Sequence, residues 1–235
     1  MNTIRKAVSL GVVVILPLSA TLCAKSVAAE PPANLICLDL TKHYTTGLTN
    51  SINSPESVKE NNLAAMPVGR QVLGQVPFEI RGVVQLDGKK IREWKRTEFP
   101  VAVNDIVVGR KFQTLHLLHG AGGVFDEDGT TIGTLVLHYA DYSTDSFDIK
   151  NGEHVRDWWG DPQQPITGTN SVLAWTGTNP ALQKHGGANP GELRIYSSTF
   201  INPQVEKLVK TIDFKSAMNN SSPFLLGITL DAKPQ

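Results

Sequence analysis

The sequence predicts an all-β fold, a sandwich of two packed sheets, and three observations point there. Roughly ten short runs rich in Val, Ile, Leu, Phe and Thr recur along the chain, each of strand length. Turn chemistry separates them, as at Asp87-Gly88 and Asp128-Gly129. A helical period is nearly missing, apart from a turn or two over 58–66 that Pro67 stops. Many short strands without crossover helices suit a sandwich or a barrel, and the sandwich is favoured.

Residues 1–29 read as an export signal. Arg5 and Lys6 form the basic start, Ala7–Ala24 is apolar but broken by Pro17, and Val27-Ala28-Ala29 offers small residues for cleavage before Glu30. A membrane anchor is the alternative, but Pro17, Ser19 and Thr21 interrupt the run of ~20 apolar residues that a span needs. The full chain has 22 basic and 22 acidic residues; the leader removes Arg5, Lys6 and Lys25 and no acid, so the remainder is net acidic. That balance excludes the strongly basic face of a nucleic-acid binder. Cys23 leaves with the leader and Cys37 stays alone, which excludes an internal disulfide. The remaining ~200 residues suit one sandwich domain, 30–235.

Taken in order, 36–40 is a first strand. Residues 41–75 are a long polar connection, rich in Gly, Pro and Asn, that reads as a wrap over the body. FEIRGVVQL (78–86) alternates apolar and polar as one strand, and the basic KKIREWKRTE after it reads as a solvated hairpin tip carrying Trp94. Strands follow at 99–108, 112–118 and 132–139. The last of these is apolar on both alternate faces, which marks it as covered on both sides and central. After a turn and a second strand comes the aromatic edge VRDWW. Residues 172–176, 193–201, 205–214 and 224–230 complete the strands, with 161–170 and 179–191 as loops.

Chemical motifs are sparse. HExxH, CxxC, a P-loop and a G-x-S-x-G elbow are all missing. Asp126-x-Asp128-Gly129 has the start of a calcium loop but neither a third spaced ligand nor the closing Glu, so a hairpin is favoured. His116 and His138 could meet across strands, but no third metal ligand accompanies them, and no cofactor or metal is expected. Two carboxylates of a glycosidase cannot be picked from 22 acids.

The aromatic edge supplies the candidate binding site. In strand alternation Val155, Asp157 and Trp159 share the core face, while His154, Arg156 and Trp158 face outward. An exposed Trp158 beside donors is equipment for stacking a sugar ring, with Asn170 and Asn179 as polar contacts from neighbouring loops. The alternative places Trp158 in a second core beneath the 41–75 wrap.

FEIRGVVQL, LHLLHG, DGTTIGTLVLHYAD, HVRDWW, AWTGTNP, LRIYSSTFINP and IDFKSAMNNSSPFLLGITL, in this order over about Leu38–Asp231, resemble a group of uncharacterised exported bacterial domains. The sequence departs from them at Tyr142, where those domains carry Gly after HYAD. The resemblance implies a jelly-roll, galactose-binding-like β-sandwich and, by fold analogy, a glycan or cell-surface polysaccharide as partner. The expectation is an exported, non-catalytic carbohydrate-binding module. Its rivals are a protein-interaction module with Arg194, Tyr196 and Arg81 as an outward stripe, and a glycan-active hydrolase.

Overall fold

The structure is a computed structural model that describes residues 34–94, 96, 98–123, 126–160, 164–187 and 191–232. The expected leader at 1–29 lies outside the described residues. In chain order the elements are β1 (Leu35–Cys37), β2 (Gly69–Leu73), β3 (Val76–Ile80), β4 (Val84–Gln85), α1 (Lys89–Glu93), β5 (Ala102–Arg110), β6 (Phe112–Gly122) and β7 (Thr131–Tyr139). They continue with β8 (Thr144–Lys150), β9 (Trp159–Gly160), β10 (Ser171–Gly177), α2 (Pro180–His185), β11 (Glu192–Ile201), β12 (Val209–Ser216) and β13 (Ser222–Ala232).

Two antiparallel sheets pack in a sandwich-like arrangement. The larger has the order β1-β13-β6-β11-β10, with β4 joining β13 and β9 joining β11; the smaller runs β5-β12-β7-β8. Between them lies one core, built from Leu115 and Leu117 of β6, Leu225, Ile228 and Leu230 of β13, Leu135 and Leu137 of β7, and Ile212 and Phe214 of β12.

The outer face of the larger sheet is also covered. Leu48, Ile52, Leu63 and Met66 of the 41–75 segment, with Phe78 and Ile80 of β3, pack on Leu118, Leu193, Ile195, Phe224 and Leu226. The long connection is therefore a wrap, as its length and polarity suggest, and its few large apolar residues hold it down. This second core moves the centre of the fold. Residues 222–232 of β13 are almost all buried, whereas β7 buries one face and leaves Thr134, Val136 and His138 half-exposed. The expectation that 132–139 is covered on both sides is corrected: β13 holds that place, because only its sheet is covered twice.

Three local expectations also change. FEIRGVVQL is not one strand; Tyr44 of the wrap lies across Gly82, with ring carbon only 2.6 Å from where a Cβ would stand, and the chain breaks there into β3 and β4. The basic tip is instead the short helix α1, anchored by buried Ile91. The turn after HYAD sets Tyr142 at φ 67°, a left-handed conformation that glycine adopts without strain. No helix among the described residues is long and apolar enough to cross a membrane.

Candidate functional site

The stretch 151–160 is not a strand with alternating faces. It is a turn, two isolated bridges and a short β9, so period-two reasoning fails there. Trp158 is the casualty: it is 1% exposed, its ring meets Phe224 edge-on at 5.8 Å, and its backbone N–H donates to the Ala121 carbonyl at 2.8 Å. The exposed platform is corrected to the alternative, a tryptophan of the second core.

The other proposed contacts scatter. His154 is buried beside Phe200, its Nδ1 accepts from the Lys150 N–H at 3.0 Å, and burial holds its pKa down. Arg156 turns away to a bidentate pair with Asp128, both bonds 2.9 Å, and to the Pro165 carbonyl. Asn170 is an exposed residue donating to the Thr199 carbonyl. Asn179 is buried as the N-cap of α2, accepting from the Leu182 N–H at 2.7 Å. These four are not convergent ligand contacts.

The same stretch nevertheless builds a cleft of about 300 Å³, and three tryptophans line it: Trp158, Trp159, and Trp94 from the end of α1. The wrap supplies Asn53, Ser54, Pro55, Val58 and Asn61; Gly123 follows β6, and Asp157 and His185 close the ring. Trp94 is half-buried there, which corrects its assignment to a solvated tip.

Each wall is fixed from behind. Arg96, itself buried, donates to the Ser54 and Ser51 carbonyls at 3.2 Å and pairs with Glu98, pinning the wrap. The Trp159 indole N–H donates to Asn61 Oδ1 at 3.0 Å, and Asn179 donates to that same oxygen at 3.1 Å. Asn179 thus braces the cleft from one residue away. Asp157 Oδ1 accepts from the Trp159 N–H at 2.9 Å, and buried Arg194 donates twice to the Asp157 carbonyl and once to that of Gln164. Arg194 and Tyr196 are both buried, so the outward interface stripe they were expected to form with Arg81 is corrected as well.

Two polar atoms of the wall stand out. Asn53 Nδ2 and Ser54 Oγ have no hydrogen-bond partner among the described residues, although both residues are about 95% buried (5% and 4% exposed). Asn53 also sits at φ 49°, its side chain resting on Gly122, where a Cβ would stand 2.3 Å from its own.

The carboxylates of the calcium-like segment are already occupied. Asp126 accepts from the backbone and side chain of both Asn220 and Ser221, at 2.6–3.4 Å, and Asp128 is taken by Arg156, whose hydrogen bonds hold its pKa down. They latch loops together. His116 and His138 lie in different sheets, bonded to Thr199 and Asp213 respectively, so the cross-strand pair does not form. Among the described residues no group of three His, Cys, Asp or Glu could hold a metal.

A larger depression of about 460 Å³ runs along β1, past Arg70, Glu79 and Arg81. Among the described residues lining it there is no aromatic side chain, and its Arg81 and Glu79 pair with each other at 2.7 Å, so the tryptophan cleft is the better site. Comparison with protein-family models, curated proteins and solved structures finds no significant match in any of the three.

Proposed function

We propose that the chain is an exported, non-catalytic carbohydrate-binding module of the jelly-roll, galactose-binding-like kind, and that the tryptophan cleft is its binding site. One observation carries this reading: three tryptophans and the polar residues Asn53, Ser54, Asn61, Asp157 and His185 line a single cleft of about 300 Å³. Sugar rings bind where an aromatic face meets their C–H groups and fixed polar atoms meet their hydroxyls. The volume is at the small end of ligand pockets, which suits one or two sugar rings. Export is supported by the basic start, apolar run and Val27-Ala28-Ala29 of the leader.

A hydrolytic reading fits less well. Hydrolysis needs two carboxylates flanking the bond, and Asp157 is the one carboxylate among the described residues lining the cleft. The test is tryptophan emission during titration with a panel of oligosaccharides. A cognate sugar gives a saturating blue shift with affinity on the order of micromolar to millimolar, and Trp94→Ala abolishes it. A broad panel without a binder, or a binder indifferent to Trp94→Ala, overturns the assignment.

A further inference from the structure

Tyr196 carries a buried hydroxyl that the fold does not use. The residue is 2% exposed, yet its O–H has no hydrogen-bond partner among the described residues, where a buried tyrosine ordinarily finds one. Unlike Asn53 Nδ2 and Ser54 Oγ, this oxygen is not closed off from solvent. Tyr196 lines a pocket of about 210 Å³ with Arg194, with Leu173 of β10, and with Gln164, Pro165 and Ile166 of the loop before that strand. Among the described residues the pocket shares no lining residue with the tryptophan cleft.

The loop that forms one wall is tied down by two arginines. Arg194, 1% exposed, donates to the Gln164 carbonyl at 3.4 Å, and Arg156 donates to the Pro165 carbonyl at 2.7 Å. Those carbonyls already accept hydrogen bonds, so the Tyr196 hydroxyl is the donor left for the pocket. Pro165, Ile166 and Leu173 make the rest of the lining largely apolar. A ligand here must bring a hydrogen-bond acceptor on a short apolar body.

Charge decides which acceptor. Burial raises the pKa of the Tyr196 phenol and keeps it protonated, so it donates. The charges that reach it are, in order of strength, those of Arg194, Arg156 and Asp157, two cations against one more weakly felt anion. No Asp or Glu is among the described residues lining the pocket. A carboxylate oxygen would take a charge-assisted hydrogen bond there, whereas an amide or an alcohol gains only a neutral one.

We propose that this pocket binds a small carboxylate, one oxygen accepting from the Tyr196 hydroxyl and the apolar body lying against Pro165, Ile166 and Leu173. The volume, below that of drug-sized sites, admits few non-hydrogen atoms. That chemistry has two sources: a free short-chain acid, or the carboxylate edge of a uronic acid within a glycan. The assignment does not depend on the tryptophan cleft.

The test is NMR of the whole exported protein, following the ring signals of Tyr196 and the methyl signals of Ile166 and Leu173. The probes are isobutyrate, its neutral isostere isobutyramide, and the methyl glycoside of galacturonic acid. An acid should shift these signals saturably, with affinity on the order of millimolar for so few atoms. Isobutyramide should bind roughly tenfold more weakly. Isobutyrate as the tighter acid names a free acid as the source, and the galacturonoside names a glycan. Tyr196→Phe should melt with the wild type, since the hydroxyl has no partner to lose, and should weaken the tighter acid roughly tenfold. Isobutyramide binding as tightly as the acids overturns the carboxylate assignment. Acid binding that survives Tyr196→Phe, or a variant that melts clearly lower, overturns the role of the hydroxyl. No shift with any probe leaves a solvated tyrosine only and overturns the site, with the carbohydrate reading untouched.

Discussion

His119 gives the most direct test of the buried polar layer behind the site. It lies in β6 at 1% exposure, with Nε2 sharing a 2.7 Å hydrogen bond with Ser198 Oγ, which also receives the Ser171 hydroxyl at 2.7 Å. Burial first, and the charge of His154 second, push its pKa from 6.5 down to about 3. The folded state therefore keeps it neutral where the unfolded chain would take a proton. The stabilisation is complete above pH 6.5 and is lost as pH falls towards 3. At about 1.4 kcal/mol for each pH unit, lowering the pH to 5 removes about 2 kcal/mol from this one group. In a domain of this size that lowers Tm by roughly 4–8 °C. The carboxylates held low by their partners, such as Asp213 and Asp128, act only as pH falls below the ordinary Asp value of 3.8, outside this window. His116 and His154 are also lowered by burial and act in the same direction, so the comparison must be with His119→Gln. Urea melts of wild type and variant at pH 7.5 and pH 5 should show the variant less stable at neutral pH but losing about 2 kcal/mol less on acidification. Parallel losses in the two proteins would refute a neutral, buried His119.

Other consequences are simpler to read. Trp158→Ala should cost ~3–5 kcal/mol in a denaturant melt, as large aromatic truncations in cores do, whereas an exposed platform residue would cost little. Leu135→Ala should cost ~2–5 kcal/mol, against no more than about 0.5 kcal/mol for Val107→Ala, since Leu135 is fully buried and Val107 is 70% exposed. Millimolar calcium should leave Tm unchanged, because Asp126 and Asp128 are already engaged; a rise of several degrees would overturn the latch reading. N-terminal sequencing of exported protein should begin at Glu30 or within a few residues of it, and a chain still starting at Met1 would remove the case for a cleaved leader.

How far the sequence was legible depended on whether neighbours in the chain decide the geometry. Strands in the sheets carry their own signal: 171–177, 192–201 and 222–232 all contain the runs expected of them, because apolar alternation and turn residues are local. The wrap was legible as a wrap but not in its detail, since its end forms β2, which pairs with β3 just after it, and its large apolar residues are held by the distant strands β6, β11 and β13. Trp158 was misplaced because 151–157 leaves regular strand geometry, and a single residue out of register reverses every face assignment after it. Trp94 was missed for a different reason. Its neighbours KKIRE are charged, and only the approach of α1 to residues 53–58 of the wrap turns the indole into a cleft wall.

That approach also explains why the best and worst sequence clues sit in one place. The second core ends where β6 and β13 run out, and the cleft lies just beyond its last tryptophan. Trp158 therefore belongs to both: its ring meets Phe224 in the core, and it is among the residues that line the cleft. A residue shared in this way cannot report on binding alone, because removing it also loosens the core. Trp94 and Trp159 border the same cleft and are each only half-buried. The wrap, which reads as a structural connection, thus supplies Asn53, Ser54, Pro55, Val58 and Asn61 of the cleft lining, and VRDWW supplies Asp157, Trp158 and Trp159.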